Sequence, residues 1–322
     1  MKFLSTLLLS WLLVGCADAY SKNGFDLTNS LIPSKDIFQG GPPRDGIPSV
    51  EKPKFVTVNE ADFMRPTDRV IGITINGESR AYPINILNWH EIVNDQIQGI
   101  PVSVTYCPLC GTGLVYKAKV GGKVLKFGVS GLLYNSDVLL YDRQTETLWS
   151  QILSKGINGP MKGQKLKMLP SSLTSWESWL EKKPNTKVLS TDTGFSRNYR
   201  RSPYGNYDQN TETYFPVSAR SKAFHPKERV LGITLNGKYK AYPFVELGKL
   251  GTNTIKDSFE GQNLTVNFDV ANRDGQVLDA NGKPLELVNS FWFAWYAFHQ
   301  DTAIFNSAKI ISAARTDASE NQ

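Results

Sequence analysis

The sequence predicts an α+β fold, internally duplicated, in which mainly antiparallel β-sheet units carry a few helices. Two internal matches predict the duplication. Asp68–Ile84 lies over Glu228–Phe244 with an offset of 160, and ten of the 17 positions are identical. Further along, Trp176-Glu-Ser-Trp179 and Pro184-Asn-Thr186 lie over Trp292-Phe-Ala-Trp295 and Gln300-Asp-Thr302 with an offset of 116. The third observation is that Asn76-Gly77 and Asn236-Gly237 each stand between two β-rich runs, the strongest short-range hairpin signal. The fall in offset leaves the first copy with about 44 extra residues between its landmarks.

The chain opens with Lys2 and an apolar run, Phe3 to Val14, too short to span a bilayer as a stable helix. The run ends Leu13-Val-Gly-Cys16, which reads as a lipoprotein signal over residues 1–15 with Cys16 acylated after cleavage. Ordinary cleavage after Ala17-Asp-Ala19 is the competing reading. Ala17 is not the Asp that favours inner-membrane retention. The expected address is therefore a lipid anchor facing the periplasm, in the outer membrane rather than the inner. With Cys16 set aside, two cysteines remain for chemistry in an oxidising compartment.

The 322 residues suit one large or two small domains, and 40% apolar with 11% aromatic residues can supply a real core. The net charge of +6 comes from scattered Lys and Arg, an ordinary solvated surface without a nucleic-acid footprint. Residues 16–55 are rich in Pro, Gly, Ser and Lys and read as a tether or wrapping arm.

The first repeat unit covers residues 56–195. After its hairpin a helix is expected beyond Pro83, because Ile86, Trp89, His90 and Val93 fall at helical spacing, and it should stop near Asn94-Asp95. Ile100–Tyr106 alternates as a strand that delivers the chain into Cys107. Leu114–Val120 and Lys123–Val129 flank Gly121-Gly122 as another hairpin. An inserted segment, about 130–172, follows in this copy alone, with a turn at Gln144-Thr-Glu146. Residues 196–227 form a connector dense in Arg, Tyr, Asn and Pro. The second, degenerate unit covers 228–306, with a strand at Leu264–Phe268 and a hairpin around Asn281-Gly282, and 307–322 is a tail. The recurring tryptophans belong to the core.

Several motifs occur together: Asn88-Trp-His-Glu-Ile-Val-Asn-Asp95, Tyr106-Cys-Pro-Leu-Cys-Gly-Thr112, Phe127-Gly-Val-Ser-Gly131, Asn135-Ser-Asp137 and Tyr141-Asp-Arg143. With the Trp-rich end at Phe291–Thr302, they resemble the bacterial and archaeal domain of unknown function 3179 family, from about residue 60 to 306. The resemblance implies a shared site and supplies no reaction.

A Cys-x-x-Cys pair has three physical uses: thiolate metal ligands, a redox dithiol or a structural disulfide. A closed zinc ribbon needs a second such pair, which the sequence lacks, so a metal must recruit His, Asp or another oxygen ligand. His90 is the expected third ligand, or else a core histidine on the Ile86/Trp89/Val93 stripe. Cys107, Cys110 and His90 would suit copper or zinc and leave a position open. Glu91 and Asp137 are the expected acid/base or supporting carboxylates. Arg197 and Arg200, with Arg201, Tyr199 and Tyr204, either line a pocket for an anionic ligand or lie on a solvated connector. Arg143 offers a further cation, or builds a salt-bridged turn with Asp142. His225 reads as surface and His299 as packed.

Two familiar chemistries do not fit. Adjacent His90 and Glu91 point about 100° apart on a helix, unlike the spaced pair of zinc deaminases. Cys110 runs into Gly111-Thr-Gly113 and a β-type run, whereas a thioredoxin-type dithiol opens a helix. The expected function is a Cys/Cys/His metal site in a metal-dependent oxidoreductase or hydrolase, or in a metal carrier serving a delivery partner. The alternatives are a thiol–disulfide redox protein using Cys107 and Cys110, and a ligand-binding module locked by their disulfide.

Overall fold

Five sheets arranged as a five-bladed propeller, with two further two-stranded ribbons, make up the computed structural model, which describes residues 20–308 and 310–312. The signal segment, Cys16 and most of the tail lie outside the described residues. Blade 1 holds Phe55–Val56, Arg69–Ile75, Glu78–Pro83, Ser172–Ser175 and Lys187–Leu189. Blade 2 holds Ile92–Ile97, Ile100–Cys107, Thr112–Lys117 and Lys167–Leu169. Blade 3 holds Ile37–Gln39, Phe127–Tyr134, Asp137–Asp142, Leu148–Ser150 and Lys155–Asn158. Blade 4 holds Arg229–Leu235, Lys238–Pro243, Leu287–Phe291 and Ala303–Ile304, and blade 5 holds Thr254–Phe259, Gln262–Asp269 and Asp274–Leu278. The mainly antiparallel sheets with a few short helices are as expected; the propeller arrangement is not.

The duplication explains the blade count. Blade 4 repeats blade 1, and blade 5 repeats blade 2: Gln262–Asp269 lies over Ile100–Cys107 with an offset of 162. In blades 1 and 4 the last strand runs parallel to its neighbour, Lys187–Leu189 on Glu78–Pro83 and Ala303–Ile304 on Lys238–Pro243. The extra segment of the first copy supplies four strands of blade 3 and one edge strand of blade 2. Two copies of two blades plus one inserted blade give five.

Local chemistry sets the elements. At both Asn-Gly hairpins the two turn residues take positive φ, 48° and 84° at Asn76 and Gly77, 50° and 76° at Asn236 and Gly237, the mirror-image turn that matches strand twist. The helices are short: α1 Ile84–His90, α2 Trp176–Lys182, α3 Phe244–Leu247 and α4 Trp292–Phe298. The first ends at His90, sooner than the apolar spacing suggests, because Glu91 turns to φ 56° and Ile92–Ile97 pairs with Ile100–Cys107 across Gln98-Gly99. β-branched Ile92 and Val93 suit that strand better than a third helical turn.

The repeated tryptophans close each copy in the same way. Trp179 packs flat on Gly72 and Trp295 on Gly232, so that a Cβ at either glycine would collide with the indole. Trp179 Nε1 donates to Thr186 Oγ1 at 3.0 Å and Trp295 Nε1 to Thr302 Oγ1 at 2.9 Å. The matched Thr186 and Thr302 are therefore the polar partners of the matched indoles.

The stretch read as an arm lies along blade 3. Ile37–Gln39 pairs with Leu132–Tyr134, and Leu27, Ile32 and Ile37 are buried with Leu132, Leu139 and Tyr141. The largest core joins the Cys107–Cys110 turn to blade 3 and to Trp292–Trp295 of α4. Among the described residues no helix is long and apolar enough to cross a membrane.

Candidate metal centre

Cys107 is the last residue of strand Ile100–Cys107, and Thr112, its ladder partner, starts the next strand. The turn between them brings Cys110 back beside Cys107. Gly111 makes this possible with φ 62°, and a Cβ there would meet the Phe291 ring at 2.8 Å. The second copy holds the turn from outside. Phe291 N donates to Cys110 O at 2.9 Å, and the buried guanidinium of Arg229 donates to Gly111 O at 2.8 Å.

Asp137 enters from blade 3. Its hairpin turns on Asn135 and Ser136, with φ of 52° and 62°, left-handed conformations that cost a non-glycine residue free energy. The tip is tied down on three sides. Asn135 Nδ2 donates to Ala297 O at 3.1 Å, Ser218 N donates to Asn135 Oδ1 at 2.8 Å, and Ser136 Oγ donates to Phe215 O at 3.0 Å.

The donor atoms of Cys107, Cys110 and Asp137 all lie within 4.8 Å of one another, and all three residues are buried. The Cys110 thiol donates to Asp137 Oδ1 at 3.1 Å, the Cys107 thiol faces Ser136 O at 3.6 Å, and Ile152 N donates to Asp137 Oδ2 at 3.0 Å. Both cysteines are free thiols, so the turn is not locked by a disulfide. Burial pushes the Cys107 thiol up and the Cys110 thiol well up. It also pushes the Asp137 carboxyl up to about 7, against the pull of Ile152 N and the thiols. Three acidic groups crowded together and buried favour their protonated forms, and a cation would compete with those protons. This cluster can bind a metal.

His90 is not among these donors. Its Nδ1 lies 2.7 Å from Pro48 O and its Nε2 lies 2.7 Å from Tyr199 OH, which in turn meets Thr193 Oγ1 at 2.7 Å. A carbonyl only accepts, so Nδ1 carries the proton and Nε2 uses its lone pair on the Tyr199 hydroxyl. Neither nitrogen is left for a metal, and the grouped donors are Cys107, Cys110 and Asp137 where Cys107, Cys110 and His90 were expected. Asp137 stands where an acid/base or supporting role was expected, as the third donor.

Glu91, the residue with φ 56° after α1, is buried beside the cluster, and Tyr204 OH donates to its Oε1 at 3.2 Å. Burial, opposed by Tyr204 and reinforced by the charge of Asp137, raises it to about 7. It lines a cavity of about 670 Å³ whose wall includes Trp89, Leu109, Val138, Tyr204 and Phe215. Leu109 lies between the two cysteines in sequence and Val138 follows Asp137, so the cavity wall includes chain neighbours of the donors, while Cys107, Cys110 and Asp137 themselves lie behind it.

The arginines divide. Arg197 lines the cavity and sits over Trp89, 5.9 Å from the ring. Arg200 is exposed and is not in that wall. Arg143 is committed elsewhere: it pairs with Asp45 at 3.0 Å and Glu51 at 3.2 Å and donates to Tyr141 OH. Ligand binding by Arg143 gives way to a structural role. The connector contributes one buried tyrosine, Tyr207, which charge and composition did not single out. His225 Nδ1 accepts from Lys227 N, and His299 stacks on Tyr239 with ring centroids 4.0 Å apart.

The family model described as "Protein of unknown function (DUF3179)" matches residues 44–302. The chain belongs to the DUF3179 family. No curated protein and no solved structure matches it. The DUF3179 match begins before the first repeat and takes in Asp45, Ser49 and Glu51, the partners of Arg143. The motifs that carried the resemblance converge in space. Tyr106–Thr112 holds the thiols, Asn135–Asp137 presents the carboxylate, and Phe291 clamps the turn. In the degenerate copy of this DUF3179 chain, Asp269 and Asn272 stand where Cys107 and Cys110 stand in the first. There Asp269 accepts from Asn272 N at 3.0 Å and Nδ2 at 2.7 Å, a closed hydrogen-bonded turn.

Proposed function

We propose that Cys107, Cys110 and Asp137 hold a zinc ion and that the chain is a zinc-dependent hydrolase for a small, largely apolar molecule. The observation that carries this is the buried three-donor cluster, whose chain neighbours Leu109 and Val138 line a cavity together with Glu91. Two thiolates and a carboxylate suit zinc, which accepts both; copper favours softer sets in which imidazole or thioether replaces the carboxylate. Three protein donors leave a coordination position free, the pattern of catalytic rather than structural zinc. Bound zinc would supply Lewis acidity. Glu91, poised near neutral and held by Tyr204, takes a proton from the attacking water and returns it to the leaving group as the bond to that group breaks. Arg197 at the cavity wall favours a substrate that carries a negative charge at one end.

A thiol–disulfide exchange role has less support, because burial raises both thiols and the thiolate is the nucleophile. The export signal and the acylated Cys16 belong to the same proposal and put the site on the periplasmic side. Metal content and free thiols, measured together on protein purified without chelator, are the test. Stoichiometric zinc that disappears in Cys107→Ser and Asp137→Asn is expected. A metal-free wild type that takes up no zinc from a zinc buffer overturns the proposal.

A further inference from the structure

Tyr207 is 1% exposed, and its O–H proton finds no acceptor among the described residues, although the Tyr214 backbone lies close enough to act on its oxygen. Buried hydroxyls are nearly always paired, so an unpaired one in a packed fold marks a place where a partner is missing. The surroundings say which partner. Lys227 Nζ sits 3.2 Å from the centre of the Tyr207 ring, fixed by donation to Glu212 O at 2.6 Å. Tyr214, which lines the cavity beside Glu91, packs on the same ring with centroids 4.4 Å apart. Tyr207 shares a core with Cys107, Cys110 and Leu109. After burial, the charges acting most strongly on its hydroxyl are those of Cys110 and then Cys107. Both influences raise its pKa, so at neutral pH it is a donor.

We propose that the Tyr207 hydroxyl donates a hydrogen bond to a compact anion or oxyanion in the coordination position that Cys107, Cys110 and Asp137 leave open. This rests on the zinc reading of that cluster. Lys227, over the ring and within the field of Cys110, adds positive charge on the same side. The ligand class is an anionic oxygen or nitrogen donor, such as a carboxylate or the oxyanion of a hydrolysed acyl group.

The experiment uses the full chain loaded with Co(II), whose thiolate charge-transfer band reports Cys107 and Cys110 and whose ligand-field bands report the open position. Azide is the probe. In the wild type azide shifts the ligand-field bands. In Tyr207→Phe the charge-transfer band and the melting temperature stay close to wild type, because the deleted O–H donates to no protein acceptor, and azide affinity falls about tenfold. Tyr214→Phe, the control on the neighbouring ring, keeps wild-type azide affinity. Unchanged azide affinity in Tyr207→Phe, or an equal loss in Tyr214→Phe, overturns this proposal and leaves the metal reading intact. A wild type with no charge-transfer band overturns both.

Discussion

Cys110 Sγ and Asp137 Oδ1 lie 3.1 Å apart, one carried by a blade of the repeat and the other by the inserted blade. Neither blade alone has three donors. The thiol proton between these two atoms is the one a metal must displace. Asp137→Asn keeps the shape but removes the charge, and Cys110→Ser removes the soft donor. Each is expected to weaken zinc binding by more than the ~10–100-fold that a partner outside the ligand set is worth. Competition with a chromogenic zinc chelator reads this directly. Retained tight binding in both variants would move the ion elsewhere.

The metal-free fold should lose stability as the solution becomes less acidic. Asp137 and Glu91 sit at about 7 when folded, against ordinary values of 3.8 and 4.5. The folded chain therefore keeps protons that the unfolded chain releases, and its stability declines as pH rises between those values. Their contribution is complete below the unfolded pKa and is gone above the folded one. Zinc selects the deprotonated forms, so its stabilising effect grows across the same window. Melting curves at about pH 5 and about pH 7.5, with and without zinc, test this. A metal-free melting temperature that rises over that interval contradicts it.

Sequence patterns made the repeat legible because hairpin turns and the Trp–Gly contacts are local or fixed in register. Asn76-Gly77 and Asn236-Gly237 announce themselves. The thiol pair was legible for the same reason. The third donor was not, since Asp137 reaches Cys110 across 27 residues through a hairpin whose tip is held by Ala297, Phe215 and Ser218. His90 looked better placed in sequence, but Glu91 turns the chain and leaves its ring facing Pro48 and Tyr199. The blade count was hidden because each repeat holds two blades, so no single-blade period exists to be read. The positive φ of Asn135 and Ser136, non-glycine residues just before an aspartate, is a signal that only the backbone reveals.

His90 gives a clean discrimination. With both ring nitrogens paired, His90→Gln should keep stoichiometric zinc and lose stability by about 1–3 kcal/mol, the usual range for breaking buried hydrogen bonds. Urea unfolding of the zinc-free protein gives the second number, and metal analysis the first. Zinc lost from this variant while the fold survives would restore the imidazole to the ligand set.

Cys16 anchors the topological part of the proposal. If the Leu13-Val-Gly-Cys16 signal is processed as a lipoprotein, cells fed labelled palmitate should incorporate it into the wild type and not into Cys16→Ser. The variant should leave the membrane fraction and retain zinc, because the metal cluster lies far along the chain, in blades 2 and 3. A wild type that is soluble and unlabelled would favour cleavage after Ala19.

The two arginines that lock the copies together make the strongest internal control. Arg229 donates to Gly111 O in the thiol turn at 2.8 Å, and its counterpart Arg69 donates to Asn272 O in the degenerate turn at 2.5 Å. Each reaches from one copy into the other, and each is buried or nearly so. Truncating either to alanine leaves a buried carbonyl without its donor and opens a void, so both should cost stability by similar amounts, roughly 1–3 kcal/mol for the carbonyl alone. Their effects on zinc should part. Arg229→Ala frees the turn that carries Cys110 and should lower zinc affinity, whereas Arg69→Ala loosens Asp269–Asn272 and the contact with Leu173 O, both away from the thiols, and should leave it unchanged. Comparing the two by denaturant unfolding and chelator competition separates general loosening from loss of the site. Equal zinc affinities in the two variants would mean that the second copy does not position the thiols.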